Sequence, residues 1–493
     1  MTTPPVPSTL AAWTAFRRFP WLSLTVALTA VKLAWLIADH TPMLFLGDSE
    51  SYLWTALTGW IPPDRSFLYG FLLRPLAVDA GSMLPLIAAQ SASSVVVALL
   101  LAHLLAKGFA IRRRISFAVA VAWAALEPLA LLYERSVMTE AFALVAFAAY
   151  VSLSIRYIMA PRLRDAVLAQ AAATFVIAFR TLFVPISLLF ALGLPVIALA
   201  GRQPPHGGAS ARRKLTLALL VSITATGLFH QAYRVANGWL SGYPAAYQYE
   251  DGFFLLATWS PVLNGQDFED RSLGETILAE SDYTRTHCYH REAQRWHTGC
   301  IVDRFQHHVG TDSGANAAAR RVAVRALWRD PIGVARLALA NWLGSIDPDR
   351  VRAAMRWDRG VLPFSPSLVE LMRDRFGVAQ AAELHRIETP TNRWYFAATP
   401  WIRLLALAPF ISFLALAVCP AGVRRNMAFV TLLVTCIVGA TAFGAPAMVP
   451  RYYHAVAWLT LIPLSVIGTW LGRSVHGACR TRLRAFRDRV SGR

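Results

Sequence analysis

Long apolar stretches recur through the chain and constrain its fold more than any other feature of the sequence. Each has roughly 15–25 residues, and about 20 residues of α-helix cross the hydrocarbon core of a bilayer. The stretches are Trp21–Ala38, Met83–Ala106, Ile115–Leu132, Glu140–Ile158, Ala166–Phe179, Leu182–Ala200, Leu215–Val235, Trp401–Val418, Met427–Phe443 and His454–Leu471. They predict an all-α polytopic membrane protein with about ten transmembrane helices.

The composition supports the membrane class. Hydrophobic residues make up 56% of the chain and charged residues only 16%, whereas soluble proteins carry about 25% charged residues. The first stretch follows Arg17 and Arg18, as a signal peptide would. It is long for a signal peptide, however, and lacks a small-x-small cleavage site before Asp39. We therefore interpret it as a retained first span.

The fifth and sixth stretches are separated by a single polar break. The chain from Asp165 to Ala200 is too long for one crossing of the bilayer. Within it, only Arg180-Thr181 interrupts the apolar run. We expect a tight turn at this dipeptide, on the outer side of the membrane.

Positive charge is distributed unevenly between the loops. With the N-terminus in the cytoplasm, the inner loops and the C-terminal tail hold 22 basic residues and two acidic ones, Asp165 and Asp488. Cytoplasmic loops are enriched in Lys and Arg, so both termini are predicted to be cytoplasmic. Most of the net charge of +19 is then a topology signal and does not indicate a nucleic-acid partner. The arginine-rich tail could also contact anionic lipid.

The topology divides the chain into three parts. Residues 1–235 form an N-terminal transmembrane module with a first outer loop at residues 39–82, residues 236–400 form an outer, mostly helical region, and residues 401–493 hold the last helices and a basic cytoplasmic tail. In the outer region we predict helices over Ala317–Trp328, Pro366–Phe376 and Gln380–Arg386. Asn316 is the predicted N-cap of the first of these, and Asp330-Pro331 begins another helix.

Two cysteines, Cys288 and Cys300, fall on the outer side. In an oxidising compartment they are candidates for a disulfide. Five histidines surround them, at positions 287, 290, 297, 307 and 308, so a zinc site is an alternative, although the spacing matches no standard ligand pattern. Two free thiols are the third alternative.

Three polar clusters lie on the predicted outer face. They are Asp48-Ser49-Glu50 after the first span, the segment from Tyr133 to Phe142 before the fourth, and Pro450-Arg451-Tyr452-Tyr453-His454 before the last. Charges at membrane depth are costly, and they tend to mark substrate paths or structural ion pairs. The clusters therefore predict one site built from distant parts of the chain.

These clusters resemble the motifs of the GT-C superfamily of integral membrane glycosyltransferases, which use polyprenyl-phosphate sugars. Asp48 and Glu50 match the acidic motif of the first outer loop, and Met138-Thr139-Glu140 matches the element that opens the fourth span. The stretch from Arg65 to Tyr69 matches an Arg-x-x-x-Tyr-Pro-like motif, with Gly70 in place of proline, and Arg451-Tyr452 matches a late Arg-Tyr pair. The types most similar are the protein mannosyltransferases and aminoarabinose transferases, and residues 236–400 match no part of this pattern.

The resemblance implies a role for each matching residue. Asp48 is the general base that takes the proton of the acceptor, and Glu50 and Glu140 are further carboxylates that orient Asp48, the acceptor or a metal. Arginine suits the leaving phosphate because it donates bidentate hydrogen bonds. The predicted substrate-binding residues are Arg65, Tyr69, Arg74, Glu134, Arg451 and Tyr452, with Tyr52 as a further contact. One base and one leaving group favour an inverting displacement.

The expected setting is a multi-pass protein of the inner (plasma) membrane with its active site on the periplasmic face. That face is away from nucleotide sugars, which favours a lipid-linked donor, and the acceptor could be a glycan, a lipid or a protein. No metal ligand is assigned, and a divalent cation (Mg or Mn) stays open as a cofactor. Alternatives are a ligase or polymerase of lipid-linked glycans, an inactive structural partner, and a transporter, which would usually show internal repeats.

Overall fold

The computed structural model describes residues 20–45, 47–199, 207–282, 291–359, 363–447 and 449–491. Within these ranges every regular element is a helix. The β-type pairing within them is an isolated β-bridge between Met43 and Ser136. The predicted all-α class is therefore confirmed.

The first half of the chain supplies long apolar helices and short helices between them. They are α1 Pro20–Ala38, α2 Asp48–Thr58, α3 Phe67–Leu73, α4 Leu84–His103, α5 Arg113–Leu126, α6 Pro128–Tyr133, α7 Glu140–Met159, α8 Leu163–Phe179, α9 Val184–Leu199 and α10 Gly207–Ser241. α3 and α4 each continue into a π-helical segment, at Arg74–Val78 and Leu104–Gly108.

The second half begins with shorter helices and ends with long ones. They are α11 Asp251–Thr258, α12 Arg271–Glu280, α13 Ala293–Trp296, α14 Ile301–Val309, α15 Ser313–Arg329, α16 Pro331–Gly344, α17 Pro348–Arg359, α18 Pro366–Phe376, α19 Pro390–Ala397, α20 Thr399–Leu405, α21 Ala408–Val418, α22 Arg424–Gly444 and α23 His454–Ser491.

Seven helical segments of the described chain are long and apolar enough to cross a membrane. They are Pro20–Ala38, Leu84–Gly108, Glu140–Met159, Thr181–Leu199, Arg212–Ser241, Ala421–Gly444 and Pro450–Arg473. α20 and α21 meet the criterion together but bend by 63°, so the number is eight if this pair is one span. The described chain is thus that of a polytopic protein by length and composition, and its count of seven or eight spans differs from the predicted ten or so.

Proline and helix length explain the difference. The helix predicted over Ile115–Leu132 is divided because Pro128 has no N–H and the Glu127 carboxylate accepts from the Ala130 N–H at 2.5 Å, as the N-cap of α6. α5 keeps only 14 residues. α8 has 17 residues, or about 26 Å, against a core of about 30 Å. Pro409, in the first turn of α21, similarly separates α20 from α21.

Ion pairs join α7 and α8 at both ends and show that the two helices run antiparallel. Arg156 contacts Asp165 at one end, and Arg180 contacts Glu140 at the other. A helix break lies at the predicted Arg180-Thr181 position, because α8 ends at Phe179 and a 3₁₀ turn over Thr181–Phe183 leads into α9. Which end of the bundle faces the cytoplasm stays a prediction from loop charge.

The outer region largely follows the predicted helix signals. α18 has the predicted bounds, and the Asp330 carboxylate caps α16 by accepting from the Gly333 N–H at 2.7 Å. The helix predicted over Ala317–Trp328 begins earlier, because Asp312 is its N-cap. Asn316 instead accepts from the Gly252 N–H at 2.9 Å, at the start of α11.

One other expectation for this region is wrong. The predicted helix Gln380–Arg386 is only a 3₁₀ turn, at Ala381–Glu383. The boundary at residues 235 and 236 falls inside α10, which continues to Ser241. The division of the chain into three parts stays a prediction.

A separate apolar cluster fixes α2 and α3 in the first outer loop. Leu53 and Leu73 are fully buried, and they belong to one cluster with Leu368, Met372 and Phe376 of α18. The outer region therefore packs directly on the helix that begins with Asp48. Burial of these side chains stabilises the placement of α2, since each fully buried Leu or Met contributes about 1.5–3 kcal/mol.

Candidate active site

The acidic motif divides into three side chains with different partners. Gly47 enters α2 with φ at 68°, a conformation that favours glycine. Ser49 is fully buried, and its Oγ accepts from the Phe45 N–H at 2.7 Å and donates to the Val137 carbonyl at 2.9 Å. Residues two apart on a helix face in different directions, so Asp48 and Glu50 diverge on either side of Ser49.

Asp48 lies between two arginines that come from distant parts of the chain. Its Oδ1 accepts from Arg65 Nη2, and its Oδ2 accepts from Arg451 Nη1 at 2.8 Å. Arg65 also pairs with Asp64 at 2.8 Å, and Arg451 lies 3.7 Å from Glu292 Oε1. The Asp48 side chain is 16% exposed and that of Arg451 is 9% exposed, so these groups are screened from bulk solvent but remain accessible.

Aromatic rings cover the two arginines. The Arg451 guanidinium lies 4.5 Å from the centre of the Phe45 ring and 5.2 Å from that of Tyr452. The Arg65 guanidinium lies 5.8 Å from the Tyr52 ring. Cations over aromatic faces are stabilised by the ring quadrupole, so both guanidinium groups are held in a defined orientation.

Glu140 and Arg180 form a second ion pair beside this cluster. Glu140 is the first residue of α7 and is almost fully buried, and Arg180 contacts its Oε1. The Arg180 guanidinium also lies 5.9 Å from the Tyr452 ring. Tyr452 therefore contacts the arginines of both ion pairs.

The two groups of ion pairs, around Asp48 and around Glu140, and the aromatic rings beside them line one cavity of about 1980 Å³. Part of its lining is apolar and comes from α7, α8, α22 and the start of α9 with the turn before it. The apolar lining residues include Ala143, Leu144, Phe147, Val176, Phe179, Leu182, Ile186, Ile437 and Ala440. The charged part of the lining, the chamber, and this apolar part, the groove, thus belong to one cavity, a combination that suits an amphiphilic ligand.

The outer region closes the chamber with charged and aromatic residues. Arg295 contacts Glu250, and its guanidinium lies 4.4 Å from the Trp296 ring. Burial raises the pKa of Glu250 against the opposing effect of Arg295. Burial likewise raises the pKa of Glu292, and the nearby Arg451 opposes that shift. Glu250, Glu292 and Arg295 were not predicted as site residues, because their segment carries no recognisable motif.

Four predicted site residues lie outside the cavity lining. Glu50 accepts from Ser365 Oγ at 2.9 Å and from Ser367 Oγ at 3.1 Å, at the N-terminus of α18. A carboxylate there also interacts favourably with the helix dipole. Arg74 is exposed on the π-helical segment after α3. These two residues are therefore not brought to Asp48.

Tyr69 and Glu134 are both buried. Tyr69 packs edge-on against Tyr52, with ring centres 4.9 Å apart, and its hydroxyl donates to Gln90 Oε1 at 3.1 Å. Glu134 accepts from Lys32 Nζ at 2.5 Å and from Ser91 Oγ at 3.2 Å. Tyr69 therefore lies behind the cavity wall, and Glu134 belongs to an ion network inside the helix bundle.

The structure thus brings together Asp48, Arg65, Glu140, Arg451 and Tyr452 of the predicted site. It adds Arg180, which the sequence marked only as a polar break, and Glu292, for which the sequence held no signal. The chemical roles of all these residues stay predictions.

The described residues include neither a candidate metal site nor both cysteines of the predicted disulfide. Among the described residues no group of three or more His, Cys, Asp or Glu side chains could hold a metal ion. Cys300 is buried just before α14. Its predicted partner Cys288 and two of the surrounding histidines, His287 and His290, lie outside the described residues.

Comparisons with known proteins give one structural likeness. No protein-family model matches the chain, and no curated protein matches it. The chain is similar to the solved structure of an archaeal oligosaccharyltransferase, AglB from Archaeoglobus fulgidus, in complex with an inhibitory peptide and a dolichol-phosphate. The two are 12% identical with a TM-score of 0.42, and the match covers 94% of this chain and 52% of that one. This chain therefore spans about half the length of that protein.

Proposed function

We propose that the protein is a membrane glycosyltransferase that moves a sugar from a polyprenyl-phosphate carrier to an acceptor hydroxyl. The observation that carries the proposal is the position of Asp48 between Arg65 and Arg451, in a cavity that includes the apolar groove. A lipid-linked sugar needs a groove for its tail, cations for its phosphate and a base for the incoming hydroxyl. The cavity holds all three kinds of group.

In the proposed reaction, the Asp48 carboxylate accepts the proton of the acceptor hydroxyl as that oxygen attacks the anomeric carbon. The bond from this carbon to the phosphate oxygen breaks, and its electron pair stays on the phosphate. Attack opposite to the leaving group inverts the configuration of the anomeric carbon. Polyprenyl phosphate then leaves along the apolar groove.

Arg65 and Arg451 serve the leaving group in this scheme. Both guanidinium groups donate to Asp48 before a ligand binds. A donor phosphate would compete for the same N–H groups, and its binding would release the carboxylate to meet the acceptor. The arginines would then stabilise the charge that develops on the phosphate, as preorganised donors do in other transfer reactions. Arg180 and Tyr452 extend this wall toward Glu140.

The function is tested with the purified full-length chain in lipid nanodiscs. Labelled polyprenyl-phosphate sugars are supplied with a panel of glycan, lipid and peptide acceptors, and we expect the label to move to one acceptor class as free polyprenyl phosphate appears. The size of the product separates the transfer of a single sugar from ligation of a whole glycan. If proteoliposomes instead move the intact carrier-linked sugar between leaflets, the protein is a transporter and the proposal fails.

The ionisation of Glu292 is expected to control donor affinity. Burial raises the pKa of Glu292, which faces Arg451, Asp48 and Arg65. Below this pKa the side chain is neutral and does not compete for Arg451, so the donor binds best. Above it, the carboxylate competes with the phosphodiester, whose single negative charge does not change over this interval. We expect the dissociation constant of the intact donor to rise about tenfold, or by about 1.4 kcal/mol, as the pH passes through this pKa.

Glu292→Gln is the matching variant. It keeps the shape of the side chain and removes its ionisation, so the dissociation constant of the donor should stay at the low-pH value throughout. Equilibrium binding of a fluorescent donor between mildly acidic and neutral pH measures this. Identical pH profiles for the variant and the wild type would rule out the control by Glu292.

A further inference from the structure

Arginines exceed acidic side chains in the lining of the cavity. Eight arginines and six acidic residues line it. Each of the acidic residues has an arginine partner, and the pairs are Asp48 with Arg65 and Arg451, Asp64 with Arg65, Glu140 with Arg180, Glu250 with Arg295, Asp251 with Arg320, and Glu292 with Arg451. Among the described residues, no carboxylate pairs with Arg291. Arg234, in the same lining, likewise has no carboxylate partner among the described residues and donates to Gln231 and to the Ala245 carbonyl. The cavity therefore has positive charge in excess, and Arg291 is one of the positions that carry it.

Two backbone carbonyls hold the Arg291 side chain. Its Nη1 donates to the Thr258 carbonyl at 2.8 Å, and its Nη2 lies 3.4 Å from the Leu337 carbonyl. These contacts fix the guanidinium between the end of α11 and the middle of α16. A guanidinium has five N–H donors, so several remain for a ligand.

The charge on Arg291 is half-buried. Burial lowers its pKa to about 10, which still leaves the group protonated at neutral pH. A charge removed from water without an opposite charge is unfavourable. Binding of an anion at this position would offset the unfavourable desolvation of the guanidinium, so the position favours an anionic ligand.

The described contacts of Arg291 are with other residues than those of the Asp48 cluster. Leu337, whose carbonyl Arg291 approaches, belongs to α16 and lines the same cavity. The neighbour of Arg291 in the chain, Glu292, is the residue that approaches Arg451. Arg291 is therefore next in the chain to a residue of the proposed phosphate site but is held by different contacts.

We propose that Arg291 forms a second oxyanion subsite, which receives a phosphate or carboxylate group of the acceptor. This inference rests on the proposed function, because it takes the Asp48 cluster as the donor site. The single phosphate of a donor held by Arg65 and Arg451 leaves Arg291 for another ligand. The acceptor must lie in the same cavity, and so an anionic acceptor satisfies this charge.

The test uses the full-length chain in nanodiscs with the donor site filled by polyprenyl phosphate. Glucose 1-phosphate and glucuronate are the anionic probes, and glucose is the neutral control. We expect saturable binding of at least one anion, followed by tryptophan fluorescence or calorimetry, and none of glucose. The two anions distinguish a phosphate from a carboxylate on the acceptor.

Arg291→Gln should weaken binding of the anion about tenfold or more, as expected when a charged hydrogen-bonding partner is lost. Arg291→Lys should retain part of the affinity. Arg320→Gln is the matched control, because Arg320 also lines the cavity but pairs with Asp251. The affinity of the Arg320→Gln variant for the anion should remain within about twofold of that of the wild type.

Three results would overturn the subsite. They are equal affinity in the wild type and Arg291→Gln, an equal loss in Arg320→Gln, and no saturable binding by the wild type up to about 10 mM. Binding of polyprenyl phosphate is measured separately in every variant. If the wild type does not bind polyprenyl phosphate, the proposed function is contradicted. The anion titration can still be done without the carrier, and it then tests Arg291 independently.

Discussion

Asp48→Asn is expected to lower the rate of sugar transfer by about 10²–10⁴-fold, the usual contribution of a general base. Asparagine keeps the size of the side chain and one carbonyl oxygen, so Arg65 or Arg451 still has an acceptor at this position. It cannot take up the proton of the acceptor hydroxyl. Single-turnover transfer from a labelled donor measures the loss, and donor binding and thermal unfolding show whether the fold is intact.

Glu50→Gln is the matched control for that experiment. The same chemical change occurs two residues along the same helix, but Glu50 accepts hydrogen bonds from Ser365 and Ser367 and does not line the cavity. We expect transfer to fall by less than about tenfold, through a weaker contact with α18. Full activity in Asp48→Asn, or an equal loss in both variants, would remove Asp48 as the base.

Glu134→Gln is expected to destabilise the protein by about 3–5 kcal/mol, because it leaves a buried charge without its partner. Lys32 and Glu134 are 4% and 1% exposed, and their charged atoms are 2.5 Å apart. Arg135 keeps other hydrogen-bond partners in this variant, because it donates to the Asp39, Leu131 and Trp35 carbonyls. Lys32 has no such set of acceptors among the described contacts. The buried charge of Lys32 therefore accounts for most of the expected destabilisation.

A double variant separates structure from substrate binding. Lys32→Met with Glu134→Gln removes both charges and should recover most of the stability that Glu134→Gln alone loses. Glu275→Gln, which breaks the exposed pair with Arg271, should cost less than about 1 kcal/mol. Unfolding in mixed micelles of increasing denaturing detergent measures each variant. Unchanged stability of Glu134→Gln with a loss of donor binding would restore the predicted substrate role of Glu134.

In the candidate site, residue types and their order in the chain predict only some of the side chains that line the cavity. The common sidedness of Asp48, Glu140 and Arg451 follows from span order and loop charge, and the three do line one cavity. Glu50 and Glu134 have the same chemistry and similar positions in the loops, yet they pair elsewhere. The direction of a side chain depends on helical phase and on neighbours far away in the chain, and a pattern of charges contains neither.

The sequence by itself determined the helical, polytopic class and predicted that polar clusters from distant parts of the chain meet; the role of Asp48 as base stays a prediction. Apolar length and charge bias are local properties, and so they can be read along the chain. The tertiary structure alone decided that α5, α8 and the bent pair α20 and α21 fall short of straight full-length spans. It also decided that Glu292 and Arg291 line the cavity, because their contacts with Arg451, Thr258 and Leu337 are with residues far away in the chain.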